Sequence, residues 1–273
     1  MATHPFDSLM ELRTADIRLD CAALHLARDA YPGLVLGRHL RRLDELAEEV
    51  AAQRPGLSAP LRYEALRAVL VERCGLRGNE DDYYDPQNSY LNRVLERGYG
   101  IPISLSIVWI EVARRLKWPL HGLSLPGHFL VRLDDAERFV LIDPFRGGQT
   151  LRVEDCQQIL EHCFEGRVRF TPEFLKPIDT RAILLRLLAN LRNIYIAARD
   201  WPAVAQVLQR MAAVDPGNPR PQHELAGLLY RRGEVRAAYA CLSAYLRREK
   251  DAREQLLARE ELAHLEALIA SLN

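Results

Sequence analysis

Between Leu105 and Leu116 the chain carries Leu105, Ile107, Val108, Trp109, Ile110, Val112, Ala113 and Leu116, with Glu111, Arg114 and Arg115 as the only charges. A surface helix needs one apolar stripe, so a helix apolar on most of its sides has to be covered all round. The flanking segments are suited to supply that cover. Downstream, Leu120–Leu125 is a short apolar strand, Phe129–Leu133 alternates, Asp134-Asp135-Ala136-Glu137 reads as a hairpin turn, and Phe139–Asp143 returns. That pattern predicts an antiparallel hairpin. Phe145-Arg146-Gly147-Gly148 then turns, and Val153–Cys163 reads as a helix with Leu160 on its buried side.

Upstream, the first 80 or so residues predict helices. Asp16–Ala30 has Ile17, Cys21, Leu24 and Ala27 at helical spacing and stops at Tyr31-Pro32-Gly33. His39–Ala52 pairs an apolar face with a charged one. Ser58-Ala59-Pro60 opens a third helix, with Ser58 placed to cap it and Pro60 in its first turn; Gly75 and Gly78 end it. Residues 79–87 are a polar, turn-rich loop. Ser89–Arg97 is a short helix, and Gly98–Pro102 a turn.

After two prolines in 171–180, the chain turns helical again and repeats itself. Asp200-Trp201 recurs as Glu234-Val235, and the same shift pairs Leu191 with Leu225, Val204 with Ala238 and Leu208 with Leu242. A period of 34 with helix–turn–helix content is the pattern of tetratricopeptide repeats. Two such repeats need further surfaces to bury their faces, so Arg253–Leu272 is expected to cap the array and the first repeat to dock on what precedes it.

Charge and composition exclude several classes. Lys+Arg and Asp+Glu are both 37, so there is no net positive charge to grip nucleic acid or an anionic membrane. No apolar run reaches the roughly 18–20 residues that span a bilayer, and the first twenty residues lack a secretory h-region. The five cysteines are scattered without C-x-x-C spacing, which argues against a disulfide framework or a zinc site and for a reducing cytoplasm. Glu80, Asp81, Asp82 and Asp85 lack the alternation and glycine of an EF-hand loop, so they are read as a solvated turn with no metal; no cofactor is expected.

Three residues stand in an order that carries chemistry. Ser104 lies at the junction of turn and apolar helix, His128 opens one strand, and Asp143 closes the next. A nucleophile needs a base within reach, and the base needs an orienting group. Each residue also has a plain structural reading: Ser104 as a helix N-cap, His128 as a buried histidine bonded to a carbonyl, Asp143 as a turn aspartate before Pro144. Ser106 offers a second hydroxyl, packed within the first turn. His121 precedes a strand with no carboxylate placed to orient it, and Cys74 at a helix end reads as a packed thiol.

Taken together, Asn88-Ser89-Tyr90-Leu91, Gly100-Ile101-Pro102-Ile103-Ser104-Leu105-Ser106, Pro126-Gly127-His128-Phe129-Leu130 and Ile142-Asp143-Pro144-Phe145 resemble the bacterial SirB-type transglutaminase-like family. The resemblance implies a helical N-terminal part (1–84), a transglutaminase-like, papain-like core with a small antiparallel sheet (85–170), and a tail of tetratricopeptide-type helical repeats (181–273). The fold class is thus α+β. The wider superfamily uses a Cys-His-Asp triad, which carries over onto Ser104, His128 and Asp143, with Ser106 the other choice for the first position. A serine therefore stands where the thiol is expected. The implied function is a catalytically degenerate protein- or peptide-binding scaffold with a regulatory role, since the family's name carries an association with regulation of invasion genes. The alternative is a Ser-His-Asp hydrolase or acyltransferase acting on an amide or ester. A protein or peptide partner would sit in the repeat tail or the cleft.

Overall fold

The computed structural model describes residues 4–271. Two compact units divide the chain: one holds 12–187, the other 1–11 and 188–273.

In the first unit the apolar helix is α6 (Pro102–Arg115), and eleven of its fourteen residues are buried, Trp109 completely. Pro102 suits the first helical position, where its missing N–H would lack a partner anyway. The cover comes from both sides. Helices α2 (Leu19–Ala30), α3 (Leu36–Ala51) and α5 (Leu91–Arg97) pack on one, and strands β3 (Leu120–Leu123) and β4 (Leu130–Asp134) on the other. Each fully buried Leu, Ile or Val here contributes about 1.5–3 kcal/mol over its exposed state.

The one buried charge on α6 is paired. Glu111 accepts from Arg114 at 2.8 Å and Arg115 at 2.9 Å, and Arg115 also reaches the buried Asp20 of α2 at 2.7 Å. Burial pushes the Asp20 carboxyl up, but hydrogen bonds from Arg18 and Arg115 outweigh it and hold the group well below the usual carboxylate range. Glu111 shifts the other way, raised by burial and by the Asp20 charge beside it.

The sheet runs β3-β4-β5-β6, all antiparallel, with β5 at Phe139–Asp143 and β6 at Gln149–Leu151. The expected hairpin is present, with Val131 opposite Ile142 and Asp134 opposite Phe139. Strand β6 and the two-residue parallel pair β1 (Arg77–Gly78) with β2 (Tyr99–Gly100) are additions to the sequence-based expectation. The third helix, α4 (Ala59–Arg67), continues as a π-helix through Arg73 and ends at Gly75. Ser58 makes no side-chain cap. The Ala59 N–H donates instead to Asp135 at 2.7 Å, so the hairpin turn caps this helix from across the unit. Helix α7 (Val153–Phe164) follows β6, with Cys156 and Leu160 buried.

In the second unit, α9 (Trp201–Val214), α10 (Arg220–Arg231), α11 (Val235–Leu246) and α12 (Ala252–Ser271) follow α8 (Thr180–Ala197), within which the division between units falls. Successive helices pack on one another around Leu208, Leu225, Leu229, Ala238 and Leu242. The 34-residue shift superposes the start of α9 on that of α11, and α12 stands in the expected capping place; Leu272, the end of the predicted cap, lies outside the described residues. The helix α1 (Pro5–Met10) joins this unit: Asp7 accepts from Arg210 of α9 at 2.9 Å, and the same guanidinium lies over the Phe6 ring.

Candidate functional site

The site is built on two turns. Leu125-Pro126-Gly127-His128 is the first, with Pro at the second position, Gly127 at φ +73° at the third, and the His128 N–H donating to the Leu125 carbonyl at 3.0 Å. That arrangement needs a residue free to take positive φ. Gly127 is doubly required, because a Cβ there would sit 3.1 Å from Cys163.

Asp143 organises the second turn. It is fully buried at the end of β5. Its Oδ1 accepts the N–H groups of Phe145 (3.0 Å) and Arg146 (3.3 Å), and its carbonyl accepts Gly148 N–H at 2.9 Å. Its other oxygen, Oδ2, lies 2.7 Å from Nε2 of His128. A carboxylate only accepts, so the imidazole must carry its proton on Nε2, and Nδ1 becomes the basic nitrogen. Phe145 closes one side of the imidazole edge-on, with centroids 6.3 Å apart, and Tyr83 packs edge-on behind Phe145. The close fit of Phe145 on Gly78, whose Cβ would lie 2.5 Å from the ring, fixes that wall. Burial pushes the Tyr83 phenol up. A cavity of about 280 Å³ opens beside His128, with Arg146, Gln149, Asp155, His162 and Cys163 among its walls.

Ser104 is placed differently. It is the third residue of α6, not its N-cap, which is Ile101. Its Oγ accepts the Ile101 N–H at 3.0 Å and donates to the Asn88 carbonyl at 2.5 Å. The side chain is fully buried, and a Cβ on Gly100 would lie 2.7 Å from its Oγ. Asn88 in turn donates to the Asp82 carbonyl at 2.6 Å and accepts from Asn79 at 3.1 Å, so the serine ties the loop 79–89 to the start of α6. Ser106 bonds within the first turn, donating to the Pro102 carbonyl at 2.7 Å.

The structure thus brings His128 and Asp143 together and gives the hydroxyl of Ser104 to Ile101 and Asn88. His121, read as lacking a carboxylate, has Asp134 at 3.6 Å. Sequence reasoning did not pick out Phe145 as a wall of the site or Cys163 as its neighbour. The first sits next to a recognised motif; the second is a single cysteine in a helix, with no local signal. Among the described residues no group of His, Cys, Asp and Glu is arranged to hold a metal ion, and no helix is long and apolar enough to cross a membrane.

Sequence comparison agrees with this architecture. Residues 38–189, more than half of the chain, match the family model of the transglutaminase-like superfamily, and residues 191–263 match the tetratricopeptide repeat. The chain belongs to the transglutaminase-like superfamily, with a helical-repeat tail. Its relatives narrow the branch. A UPF0162 protein of Xylella fastidiosa is 37% identical over 229 residues, 82% of this chain and 81% of its own. A UPF0162 protein of Pseudomonas aeruginosa is 32% identical over 245 residues, 89% of each chain. Protein SirB1 of Salmonella typhimurium is 25% identical over 209 residues, 76% of each, in keeping with the SirB-type resemblance. F-box only protein 21 of Homo sapiens is 30% identical over 139 residues, 48% of this chain and 21% of that protein. No solved structure matches significantly.

Proposed function

We propose that this protein is a transglutaminase-like scaffold, degenerate at the nucleophile position of its superfamily, that binds a protein or peptide partner in a regulatory role. The observation that carries the reading is the state of Ser104. Its hydroxyl is fully buried and has both its proton and a lone pair committed to the backbone at the mouth of α6. To attack a carbonyl it would have to abandon both bonds and become exposed. A serine also gains far less than a thiol from a helix N-terminus.

The repeats supply a binding surface. A groove of about 580 Å³ lies along α10, α11 and α12, with Ala226, Leu242 and Leu265 on its floor. On its walls His223 faces Glu261 at 3.1 Å, and the Tyr230 hydroxyl meets His264 at 3.1 Å. Stacked helix pairs of this kind present concave surfaces to peptides.

The alternative, a Ser-His-Asp hydrolase or acyltransferase with Ser104 as nucleophile, draws its support from the retained His128–Asp143 pair. A fluorophosphonate probe separates the two. The scaffold reading expects no adduct on Ser104 when the labelled protein is digested and sequenced by mass spectrometry. An adduct there that disappears in Ser104→Ala would overturn it.

A further inference from the structure

The groove along α10, α11 and α12 and a second hollow of about 800 Å³ share His223 and Glu224, so the two run into one another within the repeat unit. The groove floor is apolar, and its walls carry rings: His223 and Tyr230 on α10, His264 on α12. Each ring is held in place. His223 stacks on the buried Tyr245 with centroids 4.6 Å apart, and its Nε2 lies 3.1 Å from Oε2 of Glu261. Tyr230 is 43% exposed, meets His264 edge-on and shares a 3.1 Å hydrogen bond with it. The charges on the walls are unequal. The groove carries Glu224 and Glu261 against Arg231, and the second hollow adds Glu249, Asp251 and Glu254 against Arg220. Glu249 and Asp251 also accept backbone N–H groups before α12, and Arg192 of α8 pairs with Glu224 at 2.8 Å. Glu261 differs from these: its carboxylate has about four acceptor sites and shares a bond with His223, so most of its capacity remains for a ligand.

We propose that this groove takes an arginine side chain of a partner peptide, with the guanidinium against Glu261 and Tyr230 and the aliphatic stem on Ala226, Leu242 and Leu265. The inference rests on the binding role given to the repeats above and names the chemistry of the occupant. A carboxylate accepts the planar guanidinium fork through parallel N–H···O bonds, which no apolar or acidic side chain can form. An aromatic ring attracts a cation over its face, and arginine uses such contacts more often than lysine. The stem of an arginine covers apolar surface while its head stays with the charge, which matches an apolar floor between polar walls. Along the groove and the hollow beyond it, the excess of carboxylates over guanidiniums draws in a basic segment and repels an acidic one. The stack of His223 on Tyr245 fixes the imidazole that bonds Glu261, so the carboxylate is ordered before the ligand arrives and less freedom is lost on binding.

The test uses the full-length protein and a bead-bound library of short peptides in which each position is varied over all residue types. Retained peptides are expected to be enriched in arginine over glutamate. The best of them is then made with a fluorescent label and again with citrulline, which keeps the shape of arginine and loses its charge. By fluorescence anisotropy the citrulline peptide is expected to bind about tenfold more weakly. Glu261→Gln should weaken the arginine peptide about fivefold and leave the citrulline peptide unchanged. Glu260→Gln removes the same charge from an exposed position on α12 outside the groove walls and should change neither. Equal binding of the two peptides to wild type would overturn the proposal, as would selection of acidic or uncharged peptides; either result leaves peptide binding by the repeats standing. Retention of no peptide would remove the binding role of the groove and the proposal with it. A dimer in solution that Glu261→Gln dissolves would give the groove to a second copy of the chain and overturn the proposal.

Discussion

Ser104 and Asp143 both anchor a turn at the end of an element in the same unit, and they divide their polar atoms differently. Ser104 gives everything to the backbone: Ile101 N–H and the Asn88 carbonyl use up its hydroxyl. Asp143 gives Oδ1 to two backbone N–H groups and keeps Oδ2 for His128. A hydroxyl has one proton and two lone pairs, so a serine that serves as a backbone clamp has little left over. A carboxylate has about four acceptor sites and can hold its turn and orient an imidazole together. The difference explains how Ser104 serves as a structural clamp alone while Asp143 holds its turn and also orients His128.

The comparison can be broken by asking where each substitution registers. Asp143→Ala removes the bond to His128 and two backbone bonds in a fully buried turn; the two backbone bonds alone, at about 1.5 kcal/mol each, make a loss of about 3 kcal/mol or more the expectation. Ser104→Ala should cost about 1–2 kcal/mol, because Ile101 N–H keeps a second acceptor, the Asn88 carbonyl at 3.2 Å. Denaturant unfolding followed by fluorescence measures both. A Trp201→Phe background confines the signal to Trp109 and Trp118 of the unit spanning 12–187. A Ser104→Ala loss as large as that of Asp143→Ala would mean that the two turns do not divide their polar atoms in this way.

A finer test is the contact between Gly100 and Ser104. Gly100→Ala places a methyl 2.7 Å from the serine Oγ and 3.0 Å from Leu105 Cγ, an overpacking expected to cost about 1–3 kcal/mol. Removing the Oγ opens the space. The double variant Gly100→Ala, Ser104→Ala should therefore be more stable than the sum of the single losses by at least about 0.5 kcal/mol. Strict additivity would mean that the serine does not hold the place given to it here.

Much of this was legible from local pattern. The apolar run of α6, the alternation of β4 and β5 around an acidic turn, and the 34-residue shift between α9 and α11 are periodicities that neighbouring residues impose on one another. His128 and Asp143 were readable because a hairpin brings its two ends together. The rest depends on contacts between residues far apart in sequence, which no periodicity records. Arg210 reaches Asp7 across 203 positions, and α1 groups with the repeats through contacts of that kind. Strand pair β1–β2 is two residues long and exists only because other elements hold its members side by side. Cys163 sits beside Gly127 because α7 folds back over the turn, and a lone cysteine in a helix carries no sign of that. Ser104 was expected near a cap; its place three residues inside the helix turned on whether Ile101 or a later residue left the extended conformation first.

The smallest expected effect concerns a third turn residue, Asp135, which differs from both Ser104 and Asp143 in being only half-buried. The α4 N-terminus was expected to be capped by Ser58, and Asp135 does it from the hairpin turn. Hydrogen bonds from Ala59, Glu137 and Arg138 lower its carboxyl to about 2 from an ordinary 3.8. A carboxyl held low in the folded state stabilises above its unfolded value, and that contribution is lost as pH falls through the folded one. Asp135→Asn should therefore be slightly less stable than wild type at pH 7, with the gap closing between about 4 and about 2. Paired melting curves across that range measure it. A gap that stayed constant to pH 2 would mean that the Asp135 charge contributes nothing to the cap, and that its partnership with Ala59 is geometric alone.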